Sequence, residues 1–159
     1  MTVRLQGGGE HPRDEHWMAL ALEAARRVPH LPFGAVLVDE AADALRATGW
    51  NRGGSDPTGH GEIDVIQRLA AASPDEDWTR LTLYTTAEPC PLCAGAVAWA
   101  GIPRVVYGVS IPWLVEHGWW QIDLRAEELF ARLPDRAVTL RGGVSESACA
   151  TLFSAARAT

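Results

Sequence analysis

Two short segments of this 159-residue chain carry side chains that can do chemistry: His60-Gly61-Glu62 and Pro89-Cys90-Pro91-Leu92-Cys93. Two thiols three residues apart at a helix start can share one metal ion. The partial positive charge of a helix N-terminus favours thiolate over thiol there. Pro91 falls in the first helical turn, where its missing N–H costs little. Taken alone, the C-x-x-C leaves a metal site, a redox pair and coincidence all open. His60 adds an imidazole, and one imidazole with two thiolates suits zinc. No second C-x-x-C and no H-x-x-x-H accompanies these three. A structural zinc site closes with four protein ligands, whereas three leave a place for water, the catalytic arrangement. A dication with two thiolates and a neutral imidazole is charge-neutral, yet it still lowers the pKa of its water to ~7. Glu62 stands two residues after His60, so the two do not share a helix face. With His60 in the loop or first turn, the Glu62 carboxylate can project beside the metal and carry protons. General acid/base work of this kind is worth ~10²–10⁴ in rate. Glu62 also has a plainer reading, as a favourable charge at a helix N-terminus.

The elements that position these residues follow from periodicity. Residues 14–28 read as a helix capped by Asp14, with Trp17, Leu20, Ala21, Ala24, Ala25 and Val28 at helical spacing. Residues 33–39 read as a strand, pairing antiparallel with 45–50 after a loop. A Gly/Ser/Asp/Pro-rich loop, 51–61, leads into a helix over 62–72. Residues 81–86 form a strand, and 88–93 turn into a small-residue helix over 92–100 that Gly101 and Pro103 close. Then come a strand over 104–110, an irregular aromatic stretch over 111–123, a helix over 127–133, a strand over 137–141 and a last helix over 145–156 capped by Ser145. Strands alternating with helices of crossover length predict a three-layer α/β/α sandwich with a mainly parallel, mixed sheet. Residues 1–13, Gly-rich and polar, are expected to form a mobile leader, and 14–159 a single domain.

Composition narrows the classes. Hydrophobic residues make up 47% and charged residues 21%, as in a globular protein rather than a disordered one. No apolar run approaches the ~18–20 residues that span a bilayer, so no membrane role is expected. Fourteen basic residues, all arginine, stand against twenty acidic ones, for a net charge of −6. Phosphate-backbone binding favours a basic face, so this balance argues against a nucleic-acid partner. The one adjacent basic pair, Arg26-Arg27, reads as a solvated helix face. Three cysteines and no secretory signal predict a reducing, cytoplasmic setting, with Cys149 a buried, inert thiol.

The order H-x-E, then P-C-x-x-C roughly 30 residues on, is the zinc-deaminase signature. In it the chain resembles the cytidine deaminase superfamily. Pro32-Phe33-Gly34-Ala35-Val36, Asn51, Asp56-Pro57-Thr58 and Leu83-Tyr84-Thr85-Thr86-Ala87-Glu88-Pro89-Cys90 extend the likeness. The last two of these segments are similar to bacterial guanine deaminases and tRNA adenosine deaminases. Glycine between His60 and Glu62 is similar to fungal cytosine deaminases. The resemblance covers residues 14–110 well and the last third weakly. It implies a five-stranded mixed sheet between helices, one Zn²⁺ on His60, Cys90 and Cys93, and Glu62 as proton shuttle. It further implies Asn51 at a ring carbonyl or ring nitrogen, the Glu88 carbonyl at the departing amine, Phe33 lining the pocket, and a homodimer.

After residue 110 the chain departs from that pattern. Guanine deaminases of this type place an acid shortly after a Gly-Phe pair. Here the region reads Gly118-Trp119-Trp120-Gln121, so Gln121 replaces the acid unless Asp123 substitutes for it. Trp113, Trp119 and Trp120 suit either a flat ligand under a lid or ordinary packing; His117 is expected to be exposed. The expected activity is hydrolytic release of ammonia from a free, guanine- or cytosine-like nucleobase or similar aminated heterocycle. The alternatives are deamination of a nucleoside or of adenosine in tRNA, and a non-catalytic zinc module closed by a fourth ligand such as Cys149.

Overall fold

The computed structural model describes residues 3–7, 9 and 11–158. In chain order the elements are β1 (Val3–Leu5), α1 (Pro12–Ala25), β2 (Gly34–Asp39), β3 (Ala44–Trp50) and α2 (Gly61–Ala72). A 3-10 turn at Trp78–Arg80 precedes β4 (Leu81–Ala87), α3 (Pro91–Ala100) and β5 (Arg104–Val109). Then follow α4 (Ile111–Glu116), α5 (Ala126–Phe130), β6 (Val138–Arg141) and α6 (Glu146–Ala158). The strands form one mixed sheet in the order β1-β6-β5-β4-β2-β3. β2 pairs antiparallel with both β3 and β4, while β4, β5, β6 and β1 run parallel.

Every residue of β2 and β4 is buried, because helices cover both faces of the sheet. Alternation along β2 divides the core. Ala35 and Leu37 point to the side that holds Val65 and Leu69 of α2 and Val97 of α3. Val36 and Val38 point to the side that holds Met18 and Leu22 of α1 and Phe153 of α6. The three-layer expectation therefore holds.

Among the described residues the sheet has six strands where five were expected. Val3–Leu5 lies in the stretch read as a leader and adds an edge strand parallel to β6. Three residues are too few to show a strand period. Nearby, α1 begins at Pro12 with His11 as N-cap, so Asp14 is not the cap. Its buried carboxylate instead accepts from the Tyr84 hydroxyl at 2.8 Å and pairs with Arg104 at 3.0 Å and Arg141 at 3.5 Å. The aromatic stretch after β5 contains a helical turn, α4, capped by Ser110, whose hydroxyl accepts from Trp113 N–H. Ser145 sits at φ 50°, outside the extended region of a capping residue. Gly101 closes α3 at φ 83°, the left-handed geometry glycine adopts without strain.

Candidate metal centre and pocket

His60 is the N-cap of α2 and Cys90 is the N-cap of α3, both with extended backbone. Neither side chain caps its own helix. Both turn toward the gap between the two helix starts, where the N–H dipoles favour negative charge. Cys93, one turn into α3, completes a triangle. The Cys90 and Cys93 Sγ atoms each lie 3.4 Å from His60 Nδ1 and 3.6 Å from one another. Tetrahedral zinc, with Zn–S about 2.3 Å and Zn–N about 2.0 Å, spaces its ligands about 3.5–3.8 Å apart. The three residues therefore fit the ion without rearrangement. Among the described residues they are the one group of three or more that could share a metal. Cys149 is not part of it; it packs in the core, with its sulfur against Gly108.

The histidine reaches this position because α2 starts hard against β2. A Cβ on Gly61 would lie 2.4 Å from the Phe33 carbonyl oxygen, which explains glycine between His60 and Glu62. Asp64, one turn on, accepts from Trp50 N–H at 3.1 Å and pairs with Arg68 at 2.7 Å, tying α2 to the end of β3.

Glu62 is buried, 3% exposed. One carboxylate oxygen accepts from the Thr85 hydroxyl at 3.0 Å, and the other lies 3.5 Å from Cys93 Sγ. Burial, reinforced by the negative Cys90, raises its pKa above the ordinary carboxylate range. Before metal binds, hydrogen bonds from Cys93 and then His60 pull the Cys90 thiol down to about 4. The same bond to Cys90, followed by burial, pushes Cys93 well above its usual value. The bond to Cys90 also raises His60. One thiolate stands ready and a second proton remains for a cation to displace.

These groups open into a cavity of about 350 Å³. Phe33, Asn51, Glu88, Trp119 and Gln121 line it, together with Leu31, Leu92, Trp120 and Ile122. The buried Asn51 accepts from Gly53 N–H at 2.6 Å through its amide oxygen, so its NH₂ group is what it can offer a ligand. Trp119 stands edge-to-face on Phe33 and Phe153, with ring centres 5.5 and 5.3 Å away. Trp113 lies outside the lining and stacks on the exposed His117 at 3.9 Å. Asp123 is exposed and also outside the lining, because the chain turns away after Ile122, with Leu124 N–H bonding the Ile122 carbonyl at 2.8 Å.

Sequence reasoning missed two contributors. Thr85 read only as a β-branched strand residue, and Arg125 carried no local signal. Arg125 pairs with the Glu88 carboxylate at 2.9 Å. That carboxylate also accepts the N–H groups of Ile111 at 2.8 Å and Ala126 at 3.0 Å.

The cytidine and deoxycytidylate deaminase zinc-binding region matches residues 11–109 of this chain. A tRNA-specific adenosine deaminase of Haemophilus influenzae is 42% identical over 102 residues, 61% of this chain and 58% of that protein. The match thus spans little more than half the length of that relative. The guanine deaminase of Bacillus subtilis is 35% identical over 117 residues, covering 69% of this chain and 72% of that one. A solved guanine deaminase from Nitrosomonas europaea superposes with a TM-score of 0.80 at 25% identity, covering 98% of this chain and 88% of the other.

Proposed function

Because the chain belongs to the cytidine and deoxycytidylate deaminase zinc-binding family, we propose that it hydrolytically removes an exocyclic amino group from a nucleobase ring. The observation that carries this reading is a buried carboxylate, Glu62, inside the same cavity as the His60–Cys90–Cys93 triangle without belonging to it. His60, Cys90 and Cys93 would hold zinc, which would supply the Lewis acidity that makes water nucleophilic near neutral pH. Glu62 Oε2 is free of the Thr85 bond and carries the protons: it takes one from water and gives it to the ring nitrogen, then takes the second from the hydroxyl added to the ring carbon and gives it to the departing amine. The balance is amino-bearing carbon plus water going to carbonyl plus ammonia. The Asn51 NH₂ donates to a ring carbonyl or ring nitrogen, and the Glu88 carbonyl faces the leaving amine. Phe33 and Trp119 flank the ring.

Adenosine presented by tRNA is the first substrate to test. The 42% identity to a tRNA-specific adenosine deaminase supports it over the guanine- and cytosine-like bases that the charge balance favoured. A free base is the second reading. A cavity of about 350 Å³ roofed by Trp119, Trp120, Gln121 and Ile122, in a chain of net charge −6 without lysine, supports it. The test is ammonia release by zinc-loaded protein from an adenosine-bearing tRNA stem-loop and from guanine, cytosine, isocytosine, adenine and their nucleosides. The tRNA reading predicts turnover of the stem-loop, with binding that weakens steeply as salt rises. The free-base reading predicts turnover of a base and weak, salt-insensitive RNA binding. No turnover of any of them would overturn the deaminase reading.

A further inference from the structure

We propose that Glu88 is the positioning residue for the pocket roof, a role that rests on the deaminase reading for its kinetic consequence. Its side chain is buried, 2% exposed, and its carboxylate bonds the first residues of α4 and α5. One oxygen takes Ile111 N–H at 2.8 Å, the first residue of α4. The other takes Ala126 N–H at 3.0 Å, the first residue of α5. Arg125 Nε lies 2.9 Å from both oxygens and neutralises the charge, while its Nη2 reaches the Tyr107 hydroxyl at 3.3 Å.

Four of the cavity-lining residues, which we call its roof, lie between those two anchor points: Trp119, Trp120, Gln121 and Ile122. A single carboxylate therefore holds both ends of the roof. Its own backbone is fixed by Glu88 N–H on the Val109 carbonyl at 2.8 Å, two residues before Cys90. Trp119 has a second anchor in Phe33 and Phe153, so Glu88 governs chiefly the stretch from Trp120 to Ala126. That stretch brings Gln121 to the cavity and sends Asp123 to solvent. Glu88 thus decides which polar group a bound ring meets from above.

Only a carboxylate satisfies this arrangement. Three N–H donors converge on two oxygens, and both oxygens must accept. In Glu88→Gln one oxygen becomes NH₂ and faces either the Ile111 or the Ala126 N–H, donor against donor, so one end of the roof is released. Arg125→Lys keeps the positive charge and both amide bonds but loses the fixed guanidinium geometry, which makes it the milder variant.

The experiment uses the zinc-loaded full chain, Glu88→Gln and Arg125→Lys. It reads deuterium exchange over 111–126, acrylamide quenching of tryptophan emission, zinc content, and kcat and KM on the stem-loop or base turned over by the parent protein. Expected for Glu88→Gln are exchange over 111–126 faster by about 10-fold or more, stronger quenching, one zinc per chain, and a rise in KM that exceeds the fall in kcat. Arg125→Lys gives the same pattern, smaller. Exchange and quenching identical to the parent would overturn the proposal. So would loss of zinc with an unchanged roof, which would make Glu88 a support for the metal loop. If no substrate is turned over, the deaminase reading falls while exchange and quenching still decide the roof.

Discussion

The Thr85 hydroxyl, on a central strand, donates to Glu62 Oε1 across 3.0 Å and leaves the other carboxylate oxygen toward Cys93 and the cavity. This bond sets which oxygen is available for proton transfer. Glu62→Gln is expected to lower kcat about 10²–10⁴-fold while zinc stays bound, because the amide cannot carry the proton. Thr85→Val keeps the carboxylate but frees its orientation, and a kcat loss of about 10-fold is expected from one charged hydrogen bond. Steady-state kinetics on metal-assayed protein decides both; full activity in Glu62→Gln would remove the carboxylate from the mechanism.

Gly61 marks the closest approach of α2 to the Phe33 backbone. An added methyl would sit 2.4 Å from the Phe33 carbonyl oxygen, a backbone atom that cannot swing aside. Gly61→Ala is expected to push the start of α2 outward, cost about 1–3 kcal/mol of stability and weaken zinc retention. Urea unfolding and a chelator-competition titration measure the two effects. A variant as stable and as zinc-tight as the parent would show that α2 and β2 are not held this closely.

Removing the metal should expose the thiols in order. With zinc stripped by a chelator, Cys90, its pKa drawn down to about 4, is alkylated first by iodoacetamide at pH 6. Cys93, raised well above the ordinary thiol value, follows only at higher pH, and Cys149 stays unmodified until unfolding. Zinc-loaded protein resists at all three, and zinc uptake near neutral pH releases protons to the solvent. Peptide mass mapping reads the order. Early modification of Cys149 would contradict its place in the core.

Cys149 also predicts an alkaline limit. Burial raises its pKa from 9.0 to about 12, so the unfolded chain loses this proton first. The stabilisation is complete below pH 9 and is lost as pH rises toward about 12. Tyr84, raised chiefly by burial and then by its bond to Glu40, acts in the same direction. Denaturation midpoints should fall across that range, and Cys149→Ala should flatten the slope by up to one proton. A slope unchanged by the substitution would mean that the thiol ionises equally in both states.

Much of the site was legible because its parts are local. Cys90 and Cys93 are one helical turn apart, and His60 and Glu62 straddle one helix start, so residue type and spacing suffice to suggest ligands and proton carrier. The helix and strand periods were equally readable in α1, α2, β2 and β4, where long runs bury one face or two. β1 escaped because three residues show no period, and α4 because Pro112 and its aromatic neighbours hide a short turn that Ser110 caps.

What the chain alone determined is therefore the chemistry of each half-site: which side chains can bind a metal, and which can move a proton. Only the tertiary structure decided that the halves meet with 3.4–3.6 Å edges, that Gln121 and not Asp123 reaches the cavity, and that Glu88 and Arg125 hold the segment between. The reason is physical. Those relationships join residues far apart in the chain through hydrogen bonds and close packing, and no short-range pattern of residue types records which distant partner a buried carboxylate or a roof residue will find.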